Sequence, residues 1–256
     1  MFFLRRGPVR ERTTPIGVLH RAVTRWGEAE RTRSRYAFQK WVDGVALLDV
    51  QARTYADFWR RQNEQALAAE GPLWVVLGDS TAQGLGASSP LHGYVGQVLN
   101  ALRRTGSPWR VVNLSRSGAQ TRHVLEDQLP LIEGLRADLV TCGIGNNDIL
   151  ATPPRRFRTH LRSVIDRLPS SSVMMDLTVP DRFWRVGGVC SPYVTGINQF
   201  ISTTATGRGL TVAEVSRHAR PPWRGMLAPD SFHPNNLGYR RHADALLAAL
   251  PANTLG

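Results

Sequence analysis

Five short apolar runs, separated by stretches with helical periodicity, constrain the fold of this chain more than any other feature. The runs lie at 73–77, 109–114, 138–144, 171–179 and 210–215, and the helical stretches lie near 92–104, 121–135, 154–168, 193–206 and 237–250. Continuous apolar runs of this length are typical of strands that are buried on both faces. Strands that alternate with helices form parallel sheets with right-handed crossovers and helices on both faces. We therefore predict an α/β domain built on a five-stranded parallel sheet.

The first apolar run ends at Gly78-Asp79-Ser80, which places a serine hydroxyl just beyond a buried strand. In open α/β sheets the ligand crevice lies outside the carboxyl ends of the strands. Ser80 is therefore a candidate nucleophile, although Gly, Asp and Ser are also common turn residues. The choice between these two interpretations depends on partners elsewhere in the chain.

Two later polar segments follow the second and third predicted strands. Gly118 either permits a turn or brings a backbone N–H close to a ligand, as an oxyanion donor requires. Asn147 can donate a side-chain N–H to developing negative charge at the same edge, and its neighbour Asn146 is a competing donor. Asp148 can hold this loop or cap the next element. Both segments are also compatible with ordinary turns.

A fourth polar segment, Pro229 to Tyr239, precedes the last helical stretch and contains Asp230 and His233. Their separation of three residues allows the carboxylate to contact the imidazole, fix its tautomer and stabilise the imidazolium. Pro234 biases His233 towards an extended backbone. A surface histidine near a helix start is the ordinary alternative. The other six histidines lack a comparable aspartate–proline setting: His20, His92, His123, His160, His218 and His242.

In order and approximate separation, these segments resemble the four sequence blocks of the SGNH (GDSL-type) hydrolases, in particular the bacterial esterase, thioesterase and lysophospholipase-like branch. The resemblance covers residues 73–250 approximately and rests on Gly78-Asp79-Ser80, Gly118, Gly145-Asn146-Asn147-Asp148 and Asp230-Ser231-Phe232-His233-Pro234. It implies a three-layer α/β/α, flavodoxin-like fold with strand order 2-1-3-4-5. Ser80 lacks a surrounding Gly-x-Ser-x-Gly motif, which argues against the α/β-hydrolase fold.

The resemblance also implies the roles of the site residues. Ser80 is the expected nucleophile, His233 its base and Asp230 the acid that orients the base, so that Asp79 is left with a structural role. The expected oxyanion hole consists of the Ser80 N–H, the Gly118 N–H and the Asn147 side chain. Such a serine esterase forms an acyl-enzyme and needs no metal or organic cofactor. An acyltransferase or a carbohydrate deacetylase would use the same site.

The substrate is expected to be a small-molecule ester, but its class stays open at this stage. Candidate contacts are the aromatic residues Trp184, Tyr193 and Trp223 and the basic residues Arg116, Arg122 and Arg182. The aromatic side chains can line an acyl or sugar pocket, or can simply pack in the core. The arginines can contact an anionic head group.

Residues 1–70 lack the strand pattern and are predicted to form an extension to a catalytic domain at 71–256, with Gly71-Pro72 at the boundary. Residues 1–35, which are rich in arginine, are predicted to form a poorly ordered basic arm. An apolar stripe from Phe38 to Trp59, at steps of three and four, predicts an amphipathic helix. We favour packing of this stripe against the protein's own body or a second copy over a helix that rests on a membrane or covers an acyl site.

The net charge of +12 is carried almost entirely by arginine, since Lys40 is the only lysine. Contact of the N-terminal segment with anionic lipid is one interpretation, and a membrane-surface binding protein is the non-enzymatic alternative. Nucleic-acid binding is not expected because the chain contains no recognised module for it. The chain has no apolar run of about 18 to 20 residues and no secretory signal at its start. We therefore expect a cytoplasmic location, with membrane association as an alternative, and reduced Cys142 and Cys190.

Overall fold

The structure, a computed structural model, describes residues 28–178, 190–220, 223, 225–251 and 254. Side chains are described from residue 47 onward, except at 150, 190 and 191. Several predictions fall outside these limits: the arm over 1–27, the side chains of Phe38, Trp41, Val45 and Cys190, and the substrate contacts of Arg182 and Trp184.

The described residues form a five-stranded sheet with helices between the strands. The strands are β1 (Leu73–Gly78), β2 (Arg110–Asn113), β3 (Leu139–Gly143), β4 (Ser172–Met175) and β5 (Thr211–Ala213). The helices are α1 (Glu28–Ala68), α2 (Ser80–Gln83), α3 (Tyr94–Arg104), α4 (Thr121–His123), α5 (Leu129–Ile132), α6 (Asp148–Ala151), α7 (Pro154–Arg167), α8 (Cys190–Gly207), α9 (Val215–His218) and α10 (Asn236–Ala249). A 3₁₀ turn (Pro90–His92) precedes α3, and a π-helical turn (Val124–Gln128) joins α4 to α5.

All strand pairings are parallel, and the strand order is β2-β1-β3-β4-β5. This order confirms the predicted α/β fold. β1 pairs on both sides, with Val75 opposite Val112 of β2 and opposite Val140 of β3. As a result, the loops that follow these three strands leave the sheet side by side at its carboxyl edge.

The sheet separates two apolar layers because successive side chains of a strand point to opposite faces. Trp74 and Val76 of β1 pack in the same cluster as residues of α3 and α10. Val75 and Leu77 pack in the other cluster with residues of α7 and α8. All six residues of β1 are buried, which is why this strand reads as an uninterrupted apolar run. The arrangement is the predicted three-layer α/β/α sandwich.

The N-terminal helix α1 is longer than the sequence stripe predicted. It begins at Glu28 and contains 41 residues, or about 60 Å at 1.5 Å per residue. Residues 28–35, which we expected in the basic arm, therefore lie in a helix. Residues 28–43 contain neither proline nor glycine, so nothing in their backbone chemistry interrupts the helix.

Helix α1 packs on the body of the protein, as favoured by the sequence analysis. Leu48, Tyr55, Trp59 and Ala66 are its buried apolar side chains among those described. Successive members are seven, four and seven residues apart along α1, which places them on one face. The division of the chain into units at 1–70 and 71–256 stays a prediction.

The edge strand β2 is completed by a side chain of α1 instead of a further strand. The Asn63 amide donates from Nδ2 to the Asn113 carbonyl at 2.9 Å, and its Oδ1 accepts from the Asn113 N–H at 2.8 Å. The Asn63 bonds satisfy backbone groups of an edge strand that would otherwise lack partners. In addition, the Arg110 guanidinium of β2 donates to the carbonyls of Ala66 in α1 and of Gly71 beyond it.

Within the part of the chain that the structure describes, we find no helix of the length and apolarity needed to cross a membrane.

Replacement of Asn63 by alanine tests the docking of α1 on β2. We expect Asn63→Ala to lower the free energy of unfolding by about 1–3 kcal/mol, because both backbone groups of the buried Asn113 lose their partner. The matched control is Gln62→Ala, whose side chain bonds to Gln65 on the exposed surface of the same helix. That change is expected to cost less than about 0.5 kcal/mol. Urea unfolding measures both values, and equal losses would contradict the docking role of Asn63.

Candidate active site

Ser80, His233 and Asp230 form one hydrogen-bonded chain at the carboxyl edge of the sheet. Ser80 Oγ lies 2.8 Å from His233 Nε2, and His233 Nδ1 lies 2.7 Å from Asp230 Oδ2. Ser80 and Asp230 are 5% and 4% exposed, and His233 is half-buried. The structure thus brings together the three residues that the sequence analysis selected as nucleophile, base and orienting acid.

Ser80 owes its position to the end of β1 and the start of α2. Asp79 caps α2, because its Oδ1 accepts from the Thr81 N–H at 2.9 Å. Burial raises the pKa of the Asp79 carboxyl, and the hydrogen bonds from Thr81 offset part of this effect. Ser80 is the first residue of α2, and the first N–H groups of a helix have no acceptor within it. Asp79 therefore has a structural role, as the sequence analysis expected.

The loop that carries the base is shaped around the Asp230 carboxylate. Its Oδ1 accepts from the backbone N–H groups of Phe232 at 3.0 Å and His233 at 3.1 Å, while Oδ2 contacts the imidazole. Ser231 adopts a left-handed backbone with φ 57°, which lets the chain turn tightly between Asp230 and Phe232. Burial alone would raise the pKa of Asp230, but the bonds from His233 and Phe232 outweigh it and lower the pKa below its ordinary value.

These contacts define the proton positions on His233. A charged Asp230 accepts hydrogen bonds and cannot donate them, so His233 Nδ1 carries the proton of the bond to Asp230. In the neutral ring, Nε2 is then the acceptor that faces the Ser80 hydroxyl. The arrangement can remove a proton from Ser80 while the carboxylate stabilises the resulting imidazolium.

The predicted oxyanion donors lie in loops after β2 and β3, the two neighbours of β1. Gly118 has φ 73°, and a Cβ built on it would meet no atom within 4 Å. Gly118 is itself exposed. Asn147 donates one hydrogen of Nδ2 to the Ala119 carbonyl at 2.9 Å. Because an amide nitrogen carries two hydrogens, the second N–H of Asn147 stays available beside the Gly118 loop.

Asn146, the competing donor, occupies a different environment. It borders two small cavities together with Thr81. Its Oδ1 is buried without a protein partner among the described residues. The bond to Ala119 belongs to Asn147, and this distinguishes the two amides in a way that residue spacing could not.

Asp148 connects the loops after β2 and β3. Its carboxylate accepts from the Thr121 N–H and the Thr121 Oγ1, both at 2.9 Å, and from Thr152 Oγ1 at 2.8 Å. Asp148 is fully buried, so these bonds replace the water that it loses on folding. This confirms the expectation that Asp148 holds its loop.

Sequence reasoning missed Gln128, which supports the turn before the nucleophile. The Gln128 side chain accepts from the Gly78 N–H and donates to the Gly78 carbonyl, each at 2.9 Å. A signal for this residue was present, because Gln128 follows Val124 by four residues and precedes Ile132 by four. A buried glutamine on the apolar face of a helical segment needs partners for its polar atoms.

Two adjoining cavities, with volumes of about 20 and 30 Å³, border Thr81, the residue that follows Ser80. Both are bordered by Thr81, Asn146, Thr178 and His242. The first cavity also contacts His233. The second reaches deeper, to buried Asp79 and Tyr94.

The predicted substrate contacts differ in where they lie. Trp223 borders the first cavity, whereas Tyr193 packs against the apolar cluster between the sheet and α7–α8. Arg116 forms an ion pair with Asp127 at 3.0 Å. Arg122 donates to the Gln120 side chain.

The described residues contain no cluster of three or more histidine, cysteine or acidic side chains that could hold a metal ion. Cys142 is a free, buried thiol. Burial raises its pKa above the ordinary value, as is typical of an unreactive cysteine in a core.

Residues 76–241 match the model of the GDSL-like lipase/acylhydrolase family, which covers more than half of the chain. LAE5, an alpha/beta hydrolase enzyme from the metagenome of Lake Arreo, Spain, is similar with a TM-score of 0.59 and 23% identity over 73% of this chain and 98% of that chain. TesA gives a TM-score of 0.59 and 22% identity over 69% of this chain and 97% of that chain. Axe2, an acetylxylan esterase from Geobacillus stearothermophilus, gives a TM-score of 0.54 and 19% identity over 73% of this chain and 95% of that chain. Comparison with curated proteins gives no match.

His242 lies in the wall of both cavities, and its buried environment favours the neutral ring. It is 3% exposed, it stacks on Tyr94 with ring centroids 6.3 Å apart, and its Nδ1 lies 3.0 Å from the Gly238 carbonyl. Burial lowers its pKa from 6.5 to about 4, and the bond to Gly238 offsets part of this effect. Folding therefore favours the neutral ring.

We expect the neutral, buried His242 ring to contribute fully to the free energy of unfolding above pH 6.5, and this contribution to be lost as the pH falls towards 4. The shift corresponds to about 3 kcal/mol. The variant His242→Phe keeps an aromatic ring but cannot titrate, so its free energy of unfolding should decline less between pH 7 and pH 4 than that of the wild type. Urea unfolding at a series of pH values measures the difference. Parallel declines in the two proteins would contradict a neutral, buried His242.

Proposed function

Because the chain belongs to the GDSL-like lipase/acylhydrolase family of ester-bond hydrolases, we propose that it is a serine esterase with Ser80 as nucleophile. The observation that carries this proposal is the continuous hydrogen-bonded chain from Ser80 through His233 to Asp230. A serine hydroxyl at its ordinary pKa is a weak nucleophile and needs an adjacent base. His233 is that base, and Asp230 holds it in the required tautomer.

In the acylation step, Ser80 Oγ attacks the carbonyl carbon of the ester while His233 Nε2 takes the serine proton. The carbonyl π electrons move to the oxygen and give a tetrahedral oxyanion. When the oxyanion collapses, the bond to the alcohol oxygen breaks, and the imidazolium returns the proton to the leaving alkoxide. Asp230 stays charged throughout, because its hydrogen bonds lower its pKa.

The oxyanion is stabilised by the N–H groups of Ser80 and Gly118 and by the second N–H of the Asn147 amide. Support for this set comes from the sheet, where β2 and β3 lie on either side of β1. Support for Asn147 over Asn146 comes from the bond to Ala119, which fixes the Asn147 amide beside the Gly118 loop. Loss of one such donor typically costs about 100- to 1,000-fold in turnover.

In the deacylation step, water replaces the alcohol. His233 takes a proton from water, the hydroxide oxygen attacks the acyl carbon, and collapse of the second oxyanion breaks the bond to Ser80 Oγ. The proton on His233 returns to Ser80, and a carboxylic acid leaves. An alcohol that competes with water at this step makes the same site an acyltransferase.

Deacetylation of a carbohydrate is the second candidate, and one observation favours it. The cavity that contacts His233 measures about 20 Å³ and the adjoining one about 30 Å³, volumes that suit a short acyl group such as acetyl better than a long chain. One similar structure is that of an acetylxylan esterase, and acetyl is also the acyl group proposed here. Contact of residues 1–70 with anionic lipid stays a separate prediction, as does the cytoplasmic location.

Hydrolysis of 4-nitrophenyl esters from acetyl to long acyl tests the nucleophile. We expect Ser80→Ala to lower kcat/KM by at least about 1,000-fold, because the acyl-enzyme can no longer form. The matched control is Ser88→Ala, which removes an exposed hydroxyl that lies 2.7 Å from His92 Nδ1. This control should retain full activity. Equal rates for the wild type and Ser80→Ala would refute the assignment, and a rate maximum at long acyl chains would refute the short-acyl candidate.

A further inference from the structure

The turn that carries Ser80 is held from outside by side chains of α1. We define residues 80–87 as the nucleophile turn. Trp59 Nε1 donates to the Gln83 carbonyl at 2.9 Å, and the Tyr55 hydroxyl donates to the Ala87 carbonyl at 2.7 Å. Tyr55 and Trp59 are buried, so both bonds are made away from water and are costly to lose.

Gln51 holds the same turn at two adjacent points. Its Oε1 accepts from the Gly86 N–H at 3.0 Å, and its Nε2 donates to the Ala87 carbonyl at 3.2 Å. Gln51, Tyr55 and Trp59 are four residues apart, which places them on one face of the helix. One face of α1 thus makes four hydrogen bonds to three residues of the nucleophile turn: Gln83, Gly86 and Ala87.

The nucleophile turn also contacts the loop of the base. A Cβ on Gly86 would lie 2.5 Å from the Pro234 carbonyl oxygen and 3.0 Å from His233 Cβ, and Gly86 has φ +92°. The backbone that Gln51 holds is therefore packed directly against His233 and its neighbour. A displacement of this backbone changes the position of the base as well as that of the nucleophile.

We infer that α1 is part of the catalytic scaffold and that Gln51, Tyr55 and Trp59 are positioning residues for the Ser80–His233 pair. The inference rests on the proposed role of Ser80. Helix α1 lies outside the region matched by the family model, residues 76–241. Residues of the N-terminal extension therefore support the active site from outside the region that matches the family model.

The size of the effect follows from the geometry of proton transfer. A shift of about 1 Å in a reacting group can cost about 100-fold in rate. Tyr55 and Gln51 both donate to the Ala87 carbonyl, so that loss of either leaves one donor in place. We therefore expect a single Tyr55→Phe change to lower kcat by a few-fold. The double change Tyr55→Phe, Gln51→Leu should lower it by at least about 10-fold.

The experiment compares these variants with the wild type in hydrolysis of 4-nitrophenyl acetate and in labelling of Ser80 by an organophosphonate, followed by mass spectrometry. The expected result is a lower kcat with a KM within about two-fold of the wild type. Labelling should be at least about 10-fold slower in the double variant yet should still reach completion. Complete labelling excludes an irreversibly inactive fraction, and reversible unfolding would slow labelling about 10-fold only if about nine-tenths of the molecules were unfolded.

The matched control is Arg110→Met. Arg110 of β2 holds the end of α1, because its guanidinium donates to the carbonyls of Ala66 and Gly71. These contacts lie away from the nucleophile turn. This control should lower the melting temperature and leave the labelling rate unchanged. The inference would be overturned if the double variant were labelled at the wild-type rate. It would also be overturned if labelling stayed incomplete and kcat fell only in proportion to the labelled fraction. In both cases the proposed function would stand. Failure of the wild type to be labelled at Ser80 would overturn the proposed function itself.

Discussion

The parallel pairing of β1 with strands on both of its sides is the constraint on which the rest of the site depends. β2 and β3 flank β1, so the segments that carry Ser80, Gly118 and Asn147 begin at neighbouring points of one sheet edge. The register brings Gly78 opposite Gly143, and a Cβ on Gly78 would lie 2.6 Å from the Gly143 carbonyl oxygen. The close approach of these backbones requires glycine where β1 turns into the nucleophile segment.

Two buried carboxylates near this edge have opposite environments. Burial dominates at Asp79 and raises its pKa, whereas hydrogen bonds from His233 and Phe232 outweigh burial at Asp230 and lower its pKa. The acid with the lowered pKa is the one that contacts the imidazole. Environments that separate the pKa values of nearby acids are typical of sites where each acid has a different role. Asp79 caps α2, and Asp230 contacts the imidazole.

The fold and the contact between Asp230 and His233 were predictable from the sequence because their signals are local. Strands buried on both faces must be apolar throughout, as in β1, and the three-residue spacing of Asp230 and His233 brings a carboxylate to an imidazole. The supports of the site were not predictable, because they join distant parts of the chain by bonds between side chain and backbone. Gln128 bonds to Gly78 across 50 residues, and residue patterns do not specify such a partner. The start of α1 was misplaced because arginine-rich composition was taken as a sign of disorder.

We propose that groups from four segments of the chain meet around one reacting carbon: Ser80, Gly118, Asn147 and the Asp230–His233 pair. The most direct measurement is a crystal structure of the protein after reaction with an organophosphonate, whose tetrahedral phosphorus resembles the intermediate. We expect phosphorus bonded to Ser80 Oγ, with one phosphoryl oxygen about 3 Å from the N–H groups of Ser80 and Gly118 and from Asn147 Nδ2. Phosphorus on another side chain, or an oxygen directed away from Gly118 and Asn147, would contradict it.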